Sequence, residues 1–205
     1  MVQINWKRLP EALTHYFTYQ LRNKNTKPEK WFVILPLFGL WGIDNGRSAD
    51  EMFGYVQYFN LVSRRIYLLS QIYGKPPCAI ILCGGKTRSE VERLANLSEA
   101  ETCREPFLEF LRQNGVDARN IHIVEGNSTE KNISLAFNTI ERSTTFGYNR
   151  NEDHIVVFSD DCRVFKTIVL SEIHIHGNYT VYGEKRYDIH PNSNSFKQFF
   201  QHSTS

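Results

Sequence analysis

Apolar runs that stop abruptly at small polar residues organise this chain. Ile80-Ile81-Leu82-Cys83 breaks into Gly84-Gly85-Lys86, and Leu97 gives way to Ser98-Glu99-Ala100. A third run ends at Val124 and opens into Glu125-Gly126-Asn127-Ser128-Thr129-Glu130-Lys131-Asn132. Trp31-Phe32-Val33-Ile34-Leu35 is likewise continuous rather than alternating, the pattern of a strand buried on both faces. Open parallel sheets build their ligand sites where such strands end.

Punctuation between the runs predicts the helices. Asn5 caps a first helix over 6–22, with Pro10 tolerated near its first turn. After a strand at 31–35 and a glycine-containing loop, Ser48 and Glu51 form a capping-box start for a helix to Tyr73, which Gly74 and Pro76-Pro77 stop. A strand at 79–83 precedes a second capping box, Ser98 with Glu101, whose helix ends at Gly115. The strand at 121–124 leads to a helix capped by Ser128 and running to about Arg142. A strand at 154–158 ends in Ser159-Asp160-Asp161, and a helix follows to Ile175 with Gly177 as its stop. Thr180 to Tyr182 reads as a fifth strand and 196–201 as a short terminal helix. Alternating strands and helices imply an α/β protein: a three-layer α/β/α sandwich around a mostly parallel sheet. The whole of 1–205 is expected to be one domain, with the 6–22 helix and the 188–205 tail packed on a core of about 30–183.

Composition narrows the partners. The net charge of +2, without a basic stripe, argues against a nucleic-acid binder; Lys24 to Lys30 and Arg64-Arg65 read as a solvated loop and helix face. Trp6 to Arg22 is amphipathic and interrupted by charge, unlike a signal peptide, and no segment approaches 18 uninterrupted apolar residues. A cytoplasmic location is the expectation. Cys78, Cys83, Cys103 and Cys162 form no CxxC pair, and reduced core thiols are expected at Cys78 and Cys83.

The order and spacing of Gly84-Gly85, Ser98-Glu99-Ala100, Gly115-Val116, Glu125, Thr129 with Asn132, and Ser159 resembles the YdcF/SanA/ElyC-type family, over roughly 30–183. The resemblance implies a Rossmann-like fold, and for soluble members a nucleotide or S-adenosylmethionine ligand. Two positions depart from the family pattern: Cys162 stands where a His is usual, and Phe165 with Lys166 stands near a usual Arg.

Chemistry is weighed residue by residue. Gly84-Gly85-Lys86-Thr87 is not a Walker loop, since Ile80 stands where a Gly is needed and no helix starts at the Lys. The two glycines serve either a sharp turn or close backbone approach to a ligand. Ser98 is an N-cap and Glu99 a first-turn acid; a functional role for Glu99 rests on the family resemblance. Ser128, Thr129 and Asn132 share the first turn of a helix, a natural anion site, and capping accounts for Ser128 alone. Glu125 is a general base or hydroxyl acceptor, or a solvated strand-end acid. Asp160-Asp161-Cys162 invites a thiolate or metal reading, but no Cys–His signature accompanies it, and His174-x-His176 reads as surface histidines. The candidate catalytic residues are therefore Glu99, Glu125 and Asp160; the candidate ligand-binding residues are Gly84, Gly85, Lys86, Ser128, Thr129, Asn132 and Ser159, with no metal. The expected function is a transferase or hydrolase acting on an anionic small molecule (nucleotide, S-adenosylmethionine or sugar phosphate). The alternative is a non-catalytic sensor of the same fold.

Overall fold

The computed structural model describes residues 27–37, 48–85, 98–117, 120–160 and 163–184, with side chains from 57 onward in the first helix. The expected helices at 6–22 and 196–201, and the 188–205 tail, lie outside these residues. The described elements run β1 (Trp31–Pro36), α1 (Ser48–Tyr73), β2 (Ala79–Cys83), α2 (Glu99–Gln113), β3 (Ile121–Val124), α3 (Thr129–Arg142), β4 (His154–Asp160), α4 (Val164–His174) and β5 (Asn178–Glu184). All five strands are parallel, in the order β3-β2-β1-β4-β5. The order reverses between β1 and β4, the switch point at which open α/β sheets form a crevice.

Strand alternation divides the core into two layers. Trp31, Val33 and Leu35 pack with Tyr58, Val62 and Ile66 of α1 and Cys103, Phe107 and Leu111 of α2. Phe32 and Ile34 face the other way, onto Ile133, Ala136 and Ile140 of α3 and Ile168 of α4. Both faces of the sheet are thus covered, which explains why the strands read as continuous apolar runs. Each fully buried Leu, Ile, Val or Phe contributes roughly 1.5–3 kcal/mol of burial.

Local signals set the boundaries. Ser98 Oγ accepts from the Glu101 N–H at 3.2 Å while Glu101 Oε2 accepts from the Ser98 N–H at 2.7 Å, so the expected capping box is formed. At the other end of α2 the Val116 N–H donates to Leu111 O and the Gly115 N–H to Arg112 O, a Schellman closure that puts Gly115 at φ +71°. Gly74, past the end of α1, has φ +73°.

Two strands are longer than their sequence suggests. β4 continues through Ser159 and Asp160 because these pair with Gly183 and Glu184 of β5, which itself spans Asn178–Glu184 rather than 180–182. Ser159 and Asp160 are therefore strand residues, and their side chains point to opposite faces.

Candidate functional site

The carboxyl ends of β2 and β3 are held together by backbone contact. A Cβ on Gly85 would lie 2.6 Å from Gly126 O, and one on Gly126 would lie 2.8 Å from Asn132 N and on top of Asn132 Oδ1. A Cβ on Gly84 would lie 2.9 Å from Glu99 Oε2. Gly84, Gly85, Glu99, Gly126 and Asn132 thus form one contiguous group drawn from two strand-end loops and two helix starts. Of the two readings of Gly84 and Gly85, close approach applies, but the approaching groups are this chain's own Glu99 and Gly126.

The two helix starts differ in what their amide donors do. At α2 the Ala100 N–H donates to Gly84 O, the Glu101 N–H to Ser98 Oγ and the Thr102 N–H to Ser98 O. Buried Glu99 lies at this closed N-terminus. At α3 the Lys131 N–H donates to Ser128 Oγ at 3.1 Å and the Asn132 N–H to Ser128 O at 2.9 Å. The Thr129 and Glu130 N–H groups have no partner among the described residues. Asn132 beside them is only 4% exposed, and its Oδ1 has no hydrogen-bond partner. A buried orphan acceptor costs about 1–3 kcal/mol.

Ser159 and Asp160 are both buried but separate at the sheet. Ser159 Oγ pairs with Thr167 Oγ1 at 2.9 Å, fastening β4 to α4. Asp160 Oδ1 accepts from the Arg163 N–H at 3.0 Å, and Oδ2 accepts from Arg163 Nε at 2.6 Å. Opposite it on β5, Glu184 accepts from Arg65 Nε at 2.9 Å, and the Arg65 guanidinium lies 5.3 Å from the centre of the Tyr182 ring. Fully buried Tyr58 feels this cluster: burial first, then the Asp160 carboxylate, push its hydroxyl well above the usual range. Arg65 is thus tied to β5 on one side of α1, rather than forming part of a solvated face with Arg64.

Of the remaining candidates, Glu125 and Ser128 are exposed at the end of edge strand β3, and Thr129 is half-buried. Lys86 and Cys162 lie outside the described residues. Half-buried Lys166, in the first turn of α4, has its pKa lowered by burial and then by Arg163, with Glu130 opposing. Cys83 and Cys103 are buried free thiols whose pKa burial drives upward, and Cys78 is a half-buried free thiol. His174 sits 3.4 Å from Glu130, and exposed His176 packs edge-on against Phe137. Among the described residues no three His, Cys, Asp or Glu side chains group as metal ligands. No described helix is long and apolar enough to cross a membrane.

Sequence reasoning missed Tyr58, Arg65, Arg163, Thr167 and Glu184. Arg163 carries a local signal, three residues after Asp160 at a helix start. The partnership of Arg65 with Glu184 joins residues 119 apart and depends on β5 being longer than its apolar run. The chain matches no protein-family model, no curated protein and no solved structure.

Proposed function

We propose that this chain is a cytoplasmic enzyme, a transferase or hydrolase, that binds an anionic small molecule at the carboxyl edge of its sheet. The observation that carries the reading is the contrast between two helix starts. The Ala100, Glu101 and Thr102 N–H groups of α2 are taken up by Gly84 and Ser98, whereas Thr129 and Glu130 of α3 keep theirs available in the turn that carries the orphan acceptor of Asn132. Free N–H groups at the positive end of a helix dipole bind phosphate or carboxylate without further help. Glu99, the buried acid whose Oε2 lies against Gly84, is the residue assigned to proton transfer. Membership of the YdcF/SanA/ElyC-type family is part of the same proposal. It is supported by Gly84-Gly85 following β2, Ser98-Glu99-Ala100 opening α2, and Thr129 with Asn132 opening α3 after β3.

A second reading, a sensor without turnover, is favoured by one observation: Asp160 is engaged by Arg163 and so is not available as a second acid or base. A thermal-shift panel of nucleotides, S-adenosylmethionine and sugar phosphates, run with a turnover assay, tests both readings. The control is Thr129→Pro, which removes the first N–H of α3 at a position where proline is tolerated. Its preceding residue, Ser128, already has the extended φ −152°, ψ 160° that proline demands of its neighbour. A stabilising shift that Thr129→Pro abolishes supports the reading; equal shifts in both proteins, or none, contradict it. Turnover distinguishes the enzyme from the sensor.

A further inference from the structure

We infer that the molecule bound at the start of α3 carries a hydroxyl next to its anionic group, as a phosphorylated sugar does; this rests on the anion site proposed above. Two kinds of unmet hydrogen-bonding capacity belong to the start of this helix. The N–H groups of Thr129 and Glu130 want an acceptor. Asn132 Oδ1, fully buried on a residue only 4% exposed, wants a donor. An anion without a donor of its own, such as a phosphate-ester dianion, meets the first need and leaves the second, because it brings acceptors to an acceptor.

Two ligand chemistries offer both roles on adjoining atoms: a phosphate beside a hydroxyl, and a carboxylate beside an ammonium. The hydroxyl is favoured on solvation grounds. An ammonium taken out of water onto one neutral amide oxygen loses far more hydration than that single bond returns, whereas a hydroxyl gives up little. Gly126 is the residue laid over Oδ1, and it has no side chain. An incoming donor reaches Oδ1 only if the turn Gly126 belongs to, Glu125 to Ser128, moves aside. A ligand lacking the hydroxyl would leave the acceptor unpaired, and sites built around a polar partner discriminate strongly against analogues without it.

Titration calorimetry at pH 8 with three probes tests this: ribose 5-phosphate, methyl phosphate and S-adenosylmethionine, each on the full chain and on Asn132→Ala. The expected result is that ribose 5-phosphate binds the wild type at least tenfold tighter than methyl phosphate and tighter than S-adenosylmethionine. Asn132→Ala should bring ribose 5-phosphate to within about twofold of methyl phosphate. Equal affinity for the two phosphate esters in the wild type, or tightest binding of S-adenosylmethionine, overturns the hydroxyl inference and leaves the anion site standing. Absence of binding by all three overturns both. The wild-type comparison decides the matter even if Asn132→Ala does not fold.

Discussion

Gly126 lies so close to the Asn132 side chain that a single methyl group on it would clash with Oδ1 and come within 2.8 Å of the Asn132 N–H nitrogen. Gly85 stands in the same relation to Gly126, with its missing Cβ 2.6 Å from the Gly126 carbonyl. Neither contact is with a flexible side-chain tip alone, so neither can be relieved cheaply. Gly126→Ala and Gly85→Ala should each lower stability by about 1–3 kcal/mol, the range for overpacking a tight contact. Gly74→Ala gives the contrast: nothing lies within 4 Å of its added Cβ, and only its φ of +73° opposes the change. That variant should cost about 1 kcal/mol. Urea midpoints at constant m-value rank the three, and a neutral Gly126→Ala contradicts the packing described.

Asp160 and Glu184 face each other across β4 and β5, both buried, each with its own arginine. Arg163 caps the strand-to-helix turn with its N–H and neutralises Asp160 with its guanidinium. Removing it strands a buried carboxylate, so Arg163→Ala should cost about 2–4 kcal/mol. Asp160→Asn added to Arg163→Ala should recover part of that loss, because the amide oxygen still accepts from the backbone N–H and carries no charge. If the double variant is less stable than Arg163→Ala, Asp160 has a role beyond holding this turn. Chemical denaturation of the single and double variants closes the cycle.

His154 lies at the opposite end of β4, only 6% exposed, with Nε2 at 2.9 Å from Thr180 Oγ1. Burial lowers its pKa from the usual 6.5 to about 4. The unfolded chain therefore takes up a proton near pH 6.5 that the folded chain refuses until about pH 4. The stability contributed by the neutral imidazole is complete above pH 6.5 and is lost progressively as pH falls towards 4, amounting to up to about 3 kcal/mol. The difference in stability between wild type and His154→Gln should shrink over this interval and stay constant above pH 7. A difference that stays flat from pH 7 to 4 contradicts the assignment.

The layout of the fold was legible because its causes are local. Continuous apolar runs marked β1 and β2, and Ser98 with Glu101 and Ser128 marked helix starts whose hydrogen bonds are present as expected. β4 and β5 were cut short because Ser159, Asp160 and Glu184 are polar, and polarity at a strand end reads as a loop. Their strand character comes from pairing with each other, which the sequence of either one does not display. The same cause separates Ser159 from Asp160: one extra pair in the ladder sends neighbouring side chains to opposite faces. For Gly84 and Gly85 the sequence left open a sharp turn or close approach to a ligand; the groups that approach them are Glu99 and Gly126 of this chain, which depends on how β2 and β3 lie side by side. The α3 start was found from its residue types, while the contrast with α2 required knowing where each N–H goes.

The most direct test of the account follows backbone amides by heteronuclear NMR during titration with inorganic phosphate. The Thr129 and Glu130 cross-peaks should move furthest and saturate together, while Ala100, Glu101 and Thr102, whose N–H groups are already bonded to Gly84 and Ser98, stay in place. Saturating shifts at the α2 amides with Thr129 and Glu130 unmoved would contradict it.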